Sequence, residues 1–444
     1  MQDPFEEIFN KRLGVIKPGL ERVQAALNIL RKNEEKTAEL EEFNVLVGGT
    51  NGKGSVSSFL WMLLSLGDRH SWGLFNSPHL CNFRERYRVS AKDVGDEDLI
   101  RSLNCIKAEL GPRNYEDLSF FEIATILAYR LFRDEGVNRR IFEVGLGGRL
   151  DSTNIFDPDL SVITSISYDH MDVLGNSLKE IFIEKLGITR PGRRLVWGNS
   201  GDVTGEPETL KFLEKYCHDK GIALYTRNKD FGHTEDKLFA GGSEYRFPDF
   251  LKNAPAYLRD NFSVSLFCYD LLSRQSLQLE AAQQVLPKFD NDSLLVPPAL
   301  AGRFQRIDLD KQKIIIDVAH NLHGLHSLVA QLSKSEQSFG FIVSILRDKD
   351  YLKMIALLQN SSKFVIFYEV EGHRSPDRED ILTAYPDMPY ANNFAQALDL
   401  AKKNWPEQMT RVVCGSVYAT GKVFEYLERD PCNTRLASLF GSGN

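Results

Sequence analysis

Residues Gly49-Thr50-Asn51-Gly52-Lys53-Gly54-Ser55 have the types and spacing to hold a phosphate. Glycines let backbone N–H groups approach an anion. A lysine adds full charge, a hydroxyl can ligate Mg2+, and a helix N-terminus behind the loop adds its dipole. The apolar run "FNVLV" precedes the loop and "VSSFLWMLLSL" follows it, so strand, loop and helix come in the order a phosphate loop needs. The pattern G-x-x-x-x-G-K-S/T is not met in full. Val47 stands at its first glycine and Gly54 at its final hydroxyl position, with Ser55 next in the chain. The plain alternative, a glycine turn with a solvated lysine, does not account for that order. A second glycine-rich stretch, "EVGLGGRLDSTN", looks like a dinucleotide fingerprint, but Leu150 occupies the place of its third glycine and argues against nicotinamide binding.

These groups need a frame to position them. Short apolar runs recur along the chain: "FNVLV", "RIFEVG", "LSVITSIS", "KIIIDVA", "FGFIVSIL", "KFVIFYE" and "RVVCGS". Each has the length of a buried strand, and stretches of helical periodicity lie between them. The pattern predicts a doubly wound, mostly parallel α/β sheet, with ligands beyond the carboxyl ends of its strands. Four strand ends carry polar groups: the glycine loop, Glu143 in "RIFEVG", His170 closing "LSVITSISYDH", and Asp317, His320 and Asn321 in "KIIIDVAHN". The best boundary is "NDSLLVPPALAGRF", with Pro297-Pro298 at its centre. It makes residues 1–296 a larger N-terminal domain of phosphate-loop type and residues 297–444 a smaller, Rossmann-like α/β domain. The stretch "NKDFGHTEDKLFAGGSEYRF", from Asn228, reads as loops or hairpins, an antiparallel decoration on the first domain.

Composition narrows the class. The chain has 444 residues and a net charge of -7, with no basic footprint, which excludes nucleic acid as a partner. The N-terminal "MQDPFEEIFNKRLGV" is acidic and broken by polar residues, so it reads as neither a secretory signal nor a transit peptide. No apolar run nears the roughly 20 residues of a membrane-spanning helix. The six cysteines are scattered without C-x-x-C spacing, which suits reduced thiols and a cytoplasmic protein.

Ten segments occur here in a recognisable order: "GGTNGKGS", "NSPHLCNFRERYRVS", "FFEIATILAY", "EVGLGGRLDSTNI", "DHMDVLG", "EKLGI", "AGRFQRI", "DVAHNLHG", "LRDKD" and "GSVYATGKV". In these the chain resembles the folylpolyglutamate synthase/dihydrofolate synthase family, part of the Mur-ligase-like group of ATP-dependent amide ligases. The resemblance runs from about Pro18 to Phe424. The loop is shared across the wider group, whereas "SPHL" with "F.ER" and "EVGLGGRLD.TN" are specific to the folate branch.

The resemblance implies that L-glutamate is joined to a reduced folate or to dihydropteroate, with ATP as co-substrate and Mg2+ as the metal. A carboxylate is inert to amines, so the γ-phosphoryl of ATP first moves onto it and the glutamate amine then displaces phosphate. Positioning and charge neutralisation dominate such chemistry. Lys53 and the amides of Thr50 to Ser55 would hold the nucleotide, with Asn261 near adenine. Arg303 and Asp317 would reach the nucleotide from the second domain. Ser55 belongs to the nucleotide-side ion, while Ser77, Glu143 and His170 surround a metal near the transferred phosphoryl. His170 is an unusual magnesium ligand. Glu143, a charge inside a buried strand, needs a partner in any case. Phe120, Phe121, Glu122, Arg149 and Asp151 match folate positions, and His320, Asn321 and Ser416 line the glutamate side. Phe120 also suits a core, and Ser416 a plain turn.

Three departures stand out. Tyr257 and Leu258 replace the family's usual His-Gln ahead of Asn261, and Ala301 and Val318 replace its Pro and Gly beside Arg303 and Asp317. Before Gly19-Leu20-Glu21-Arg22 the chain has Ile16-Lys17-Pro18, where some bifunctional members have Ile-Asp-Leu; this weakens the inference to dihydropteroate. The family leads to the expectation of a monomer.

Lys185 raises its own question. Ser177 and Glu180 form a capping box, and Leu178, Ile181, Phe182 and Lys185 then share one face of the helix they open. A bare ammonium on an apolar face is costly. Either the stem is buried and the amine snorkels to water, or, as the family implies, the amine is carbamylated by CO2 and takes part in catalysis.

Two other readings compete. A ligase for a cell-wall precursor keeps the chemistry but leaves "SPHL" and "GGRLD.TN" unexplained. A nucleotide switch of the GTPase type needs Asn-Lys-x-Asp, and "NKDF" puts Phe231 at the aspartate.

Overall fold

The structure is a computed structural model that describes residues 5–11, 19–33, 41–90, 92, 94–198, 207–275, 277–291, 294–309, 312–370, 375–436 and 439. The chain forms two compact units, Met1–Phe247 with Asp260–Lys288, and Pro248–Arg259 with Phe289–Asn444. The change of unit near residue 288 comes a little before Pro297-Pro298, and the second unit also takes a short earlier segment, which local sequence does not announce.

The first unit is built on a seven-stranded sheet in the order β3-β2-β4-β1-β5-β6-β7. The strands are β1 Phe43–Gly48, β2 Trp72–Phe75, β3 Tyr87–Val89, β4 Arg139–Glu143, β5 Leu160–Ile163, β6 Arg194–Trp197 and β7 Ala223–Thr226. All neighbours are parallel except β2 and β3. Parallel strands covered on both faces are apolar along their length, and Val45, Leu46, Val47, Ile141, Phe142, Val162 and Ile163 are all fully buried. The Lys53–Gly67 helix is apolar nearly all round and is buried accordingly. It leads from β1 toward β2, whereas the Leu178–Leu186 helix leads from β5 toward β6 on the other side. The ends of β1 and β5 therefore flank the topological switch point, where open α/β sheets bind ligands. Beyond β7, strands β8 Phe231–His233, β9 Lys237–Ala240 and β10 Ser243–Arg246 make the antiparallel decoration expected from Asn228.

The second unit has a six-stranded sheet in the order β11-β12-β16-β13-β14-β15. Its strands are β11 Gln305–Leu309, β12 Gln312–Ile316, β13 Phe339–Val343, β14 Val365–Tyr368, β15 Tyr390–Ala391 and β16 Thr410–Cys414. Only β11 and β12 pair antiparallel. The Leu322–Ser335 helix, after β12, packs with the Tyr351–Ser361 helix. The Val417–Tyr426 helix, after β16, packs with the Phe394–Asn404 helix instead. These helices start side by side at the ends of β12 and β16, and that crevice is the second unit's own switch point. The doubly wound α/β fold read from the alternation is the fold observed. Among the described residues no helix is long and apolar enough to cross a membrane.

Candidate nucleotide and ligation site

The glycine loop connects β1 to the Lys53–Gly67 helix, and the loop after β5 stitches it down. Thr50 N donates to Ser165 O at 2.8 Å and Asn51 N to Ser165 Oγ at 2.8 Å. Thr164 Oγ1 donates to Asn51 O at 2.7 Å, and Thr50 Oγ1 exchanges bonds with the backbone of Ser167. Gly49 has φ 139° and Gly52 φ 88°, values side chains rarely adopt. A Cβ on Gly49 would lie 2.0 Å from Thr164 Oγ1, and one on Gly52 would lie 2.6 Å from Asn261 Oδ1. The second contact seats the Asn261 carboxamide directly on the loop. Gly52 is the helix N-cap and has no side chain with which to cap that end. A cap residue without a side chain suits an anion at that end.

Two lysines meet at the loop. Lys53 Nζ donates to the carbonyls of Gly49 and Thr50, each at 3.2 Å. From the Leu178–Leu186 helix, Lys185 Nζ donates to the same Gly49 carbonyl at 2.9 Å. The Ser177–Glu180 capping box opens that helix and Gly187 is its C-cap. Lys185 is buried beside Ile181 and Phe182, so its amine does not snorkel to water. Burial, and then the neighbouring charge of Lys53, bring its pKa down to about 7; the carboxylates of Asp169, Asp151 and Glu184 oppose the shift. The shift favours the free amine over the ammonium.

Glu143 closes β4, in register with Val47 of β1, and is buried. Its Oε2 accepts from Asn76 Nδ2 and from Ser77 N, both at 3.0 Å. Asn76 Nδ2 also reaches Ser57 Oγ at 2.8 Å, and that hydroxyl donates to Lys53 O at 2.8 Å. The structure thus ties Glu143 and Ser77 together and anchors both to the helix that carries Lys53 and the buried Ser55. Asn76, Ser57, Thr164 and Ser165 were not singled out from sequence; the hydroxyl run in "VITSIS" and the asparagine opening "NSPHL" were the available signals.

His170 is placed differently from expectation. β5 ends at Ile163, so His170 does not close a strand. It sits in the left-handed region at φ 51°, at the N-cap position of the short Met171–Leu174 helix without a capping side-chain bond, and is exposed with Nε2 3.9 Å from Asp169 Oδ1. Polar residues after Thr164 turn back to hold the glycine loop, which ends the strand early. Among the described residues, no group of three or more His, Cys, Asp or Glu side chains could hold a metal ion. The Glu143 carboxylate with Ser77, and separately the buried hydroxyl of Ser55, are hard oxygen donors of the kind a divalent ion takes.

Several of the expected folate residues have structural partners. Glu122 completes a capping box with Ser119 and pairs with Arg22 at 3.1 Å. Asp151 is buried and its carboxylate is held within its own loop: Oδ2 accepts from Leu146 N at 2.8 Å and Oδ1 from Thr153 N at 2.9 Å. Burial pushes its pKa up. Asp151 therefore staples "GLGGRLDST" in shape. Arg149 projects outward and bonds Glu184 at 3.0 Å. Phe120 is buried, stacked on Phe9 and edge-on to Phe83, as a core residue would be. Phe121 is half-buried against Phe75. The glycine-rich "GLGGRL" leads into a short 3-10 turn, Ser152–Ile155, and not the helix a dinucleotide fingerprint opens. Residues 16–18, the Ile-Lys-Pro stretch, lie outside the described residues.

In the second unit, Asp317 follows β12 and is buried. Asn321 is the N-cap of the Leu322–Ser335 helix, accepting from Gly324 N at 2.8 Å. Ser416 is the N-cap of the Val417–Tyr426 helix, accepting from Ala419 N at 3.3 Å. Gly415 N donates to Ala319 O at 2.9 Å, so the two helix ends are bound side by side. His320 Nδ1 lies 2.9 Å from Val318 O, which directs its other nitrogen away from that backbone. Arg303 Nε bonds Ala299 O at 3.3 Å.

Comparison with known proteins agrees with this geometry. The family profile described as Mur ligase, glutamate ligase domain matches residues 302–417. The dihydrofolate synthase/folylpolyglutamate synthase of Buchnera aphidicola subsp. Schizaphis graminum is 31% identical over 401 residues, covering 88% of this chain and 89% of that protein. The solved structure of E. coli FolC in complex with DHPP and ADP superposes with a TM-score of 0.77 at 28% identity, covering 96% of each chain. A bifunctional folylpolyglutamate synthase/dihydrofolate synthase with Mn, AMPPNP and L-glutamate bound gives a TM-score of 0.78 at 27% identity, covering 96% of this chain and 98% of that one. A phosphate loop at the switch point of one α/β unit, with a glutamate-ligase module in the other, defines an amide ligase of the Mur type. Within that class, the chain belongs to the dihydrofolate synthase/folylpolyglutamate synthase family.

Proposed function

We propose that the chain is an ATP-dependent ligase that joins L-glutamate to a folate through an acyl phosphate. The observation that carries the reading is the uncapped phosphate loop at the β1/β5 switch point with two lysines converging on it. The folate carboxylate oxygen attacks the γ-phosphorus and ADP leaves. The glutamate nitrogen then attacks the acyl carbon, loses a proton, and phosphate departs. Lys53 and the loop amides neutralise the β- and γ-phosphates as charge shifts between them. The metal is Mg2+; Ser55 would hold a nucleotide-side ion, and Ser77, Glu143 and, by family resemblance, His170 would hold one near the transferred phosphoryl. It would supply charge neutralisation at the phosphate oxygens.

Glutamate is assigned to the second unit, where the paired helix ends at Asn321 and Ser416, with His320, offer donors to its carboxylates. Arg303, Asp317 and Asn261 are assigned to ATP. Phe120, Phe121, Glu122, Arg149 and Asp151 mark the folate neighbourhood, with Glu122 and Asp151 acting through the backbone they hold. Lys185 is assigned as a carbamate in the active enzyme: its free amine adds to CO2 and releases a proton, turning a depressed cation into a carboxylate. The active species is a monomer.

Phosphate release from ATP tests this reading. It should require both glutamate and tetrahydrofolate. Release without a folate points to a different acceptor, and release without either points to a nucleotide switch. Replacing tetrahydrofolate by dihydropteroate in the same assay decides whether the first glutamate is also added here.

A further inference from the structure

We propose that Tyr257 is a positioning residue for ATP: its hydroxyl fixes the Asp317 carboxylate and, through it, the turn that presents Arg303. The inference rests on the reading that Arg303 and Asp317 serve the nucleotide. Tyr257 stands where the family usually carries histidine, and it lies in the first turn of the Ala256–Gln275 helix. Its ring packs against the core of the second unit. Its hydroxyl donates to Asp317 Oδ2 at 2.6 Å.

The same Asp317 oxygen accepts from Phe304 N at 2.8 Å, and the other accepts from Ala319 N at 2.8 Å. Phe304 is held at φ 54°, a left-handed conformation that a bulky residue adopts only when its surroundings force it. Gly302 is left-handed too, at φ 66°, so Arg303 is strung between two such residues. The bond from Phe304 N to Asp317 is what pins the turn. The bond from Tyr257 decides which way that carboxylate faces.

A phenol suits this task because it stays protonated. Burial and the charge of Asp317 hold the Tyr257 hydroxyl well above its usual range. Burial pushes Asp317 up, while the Tyr257 bond and the Arg303 charge pull it down. The Cys414 thiol of β16 also faces Asp317 and is pushed up by burial and by the carboxylate. Removing the Tyr257 hydroxyl therefore makes Asp317 easier to protonate.

Full-length Tyr257→Phe, Tyr257→His, Arg303→Ala and Asp317→Asn variants, assayed for ATP dependence across pH, test the proposal. Tyr257→Phe should raise KM for ATP about tenfold with kcat nearly unchanged. Its acid limb of kcat/KM should also move to higher pH. Tyr257→His keeps a ring donor and should hold KM within about threefold of wild type. A Tyr257→Phe protein that loses thermal stability but keeps the wild-type KM and acid limb overturns the proposal. If that variant does not fold, a tenfold rise in KM in Tyr257→His overturns it equally, since a donor would then not be what matters. If Arg303→Ala and Asp317→Asn leave KM for ATP unchanged, the nucleotide reading beneath the proposal is what fails.

Discussion

Both units use the same device, a helix that starts where a parallel strand ends, but they finish it differently. Behind β1 the helix begins at Gly52, a cap residue with no side chain, and two lysines stand over the loop. Behind β12 and β16 the helices begin at Asn321 and Ser416, whose side chains take up one backbone donor each. An uncapped end keeps up to about four N–H groups for a ligand. Added full charges suit a polyphosphate. A capped end keeps fewer donors and suits a ligand carboxylate. The contrast sets a glycine cap with two cations in one unit against capping side chains in the other.

Lys53→Ala attacks the charged end and should have the largest effect. We expect kcat/KM for ATP to fall about 10²–10³-fold or more, with little change in melting temperature, because the Lys53 amine bonds carbonyls of the loop itself. Near-normal turnover would remove the distinction between the two ends. Lys185→Met comes next. It keeps the packing beside Ile181 and Phe182 and removes the amine, and activity should fall about 10–100-fold, the range for residues that orient a metal site. Labelling with 13C-bicarbonate should give a carbamate signal in wild type and none in the variant. A fully active wild-type protein without that signal would show Lys185 to be a plain buried lysine.

Asn321→Ala and Ser416→Ala probe the capped ends. Each should lower stability by about 1 kcal/mol, read as a lower melting temperature, with a modest rise in KM for glutamate. The comparison breaks if KM for glutamate rises steeply while melting is unchanged, because the side chains would then serve the ligand and not the helix. The smallest effect is in pH. With its pKa at about 7 in the fold, below that of an ordinary lysine, Lys185 binds fewer protons folded than unfolded above neutrality. In CO2-free buffer, stability should therefore rise with pH from about 7 toward the ordinary lysine value of about 10.4, and Lys185→Met should flatten that rise in chemical denaturation.

Much of this was legible in the sequence. The seven apolar runs all became strands, because a parallel sheet covered on both faces writes itself as uninterrupted hydrophobic stretches. β2, β3, β6, β7, β11 and β15 lie outside those runs. The glycine loop was legible because phosphate binding restricts residue type at each step. The clamp of Thr164 and Ser165 on that loop was not, since the contact joins residues over a hundred positions apart. Asp151 and Glu122 show the opposite limit: a buried carboxylate in a family motif reads the same whether it meets a ligand or its own backbone. His170 was read as a strand end because "LSVITSIS" is apolar enough to run on, yet its hydroxyls turn the chain at Thr164.

The central claim is that glutamate reaches the folate through an acyl phosphate formed at the β1 loop. The most direct test uses a folate labelled with 18O in its terminal carboxylate, with ATP and glutamate, followed by mass analysis of the released phosphate. If an acyl phosphate forms, one carboxylate oxygen leaves with phosphorus and the phosphate carries the label. Unlabelled phosphate, released at the rate of product formation, would contradict the account.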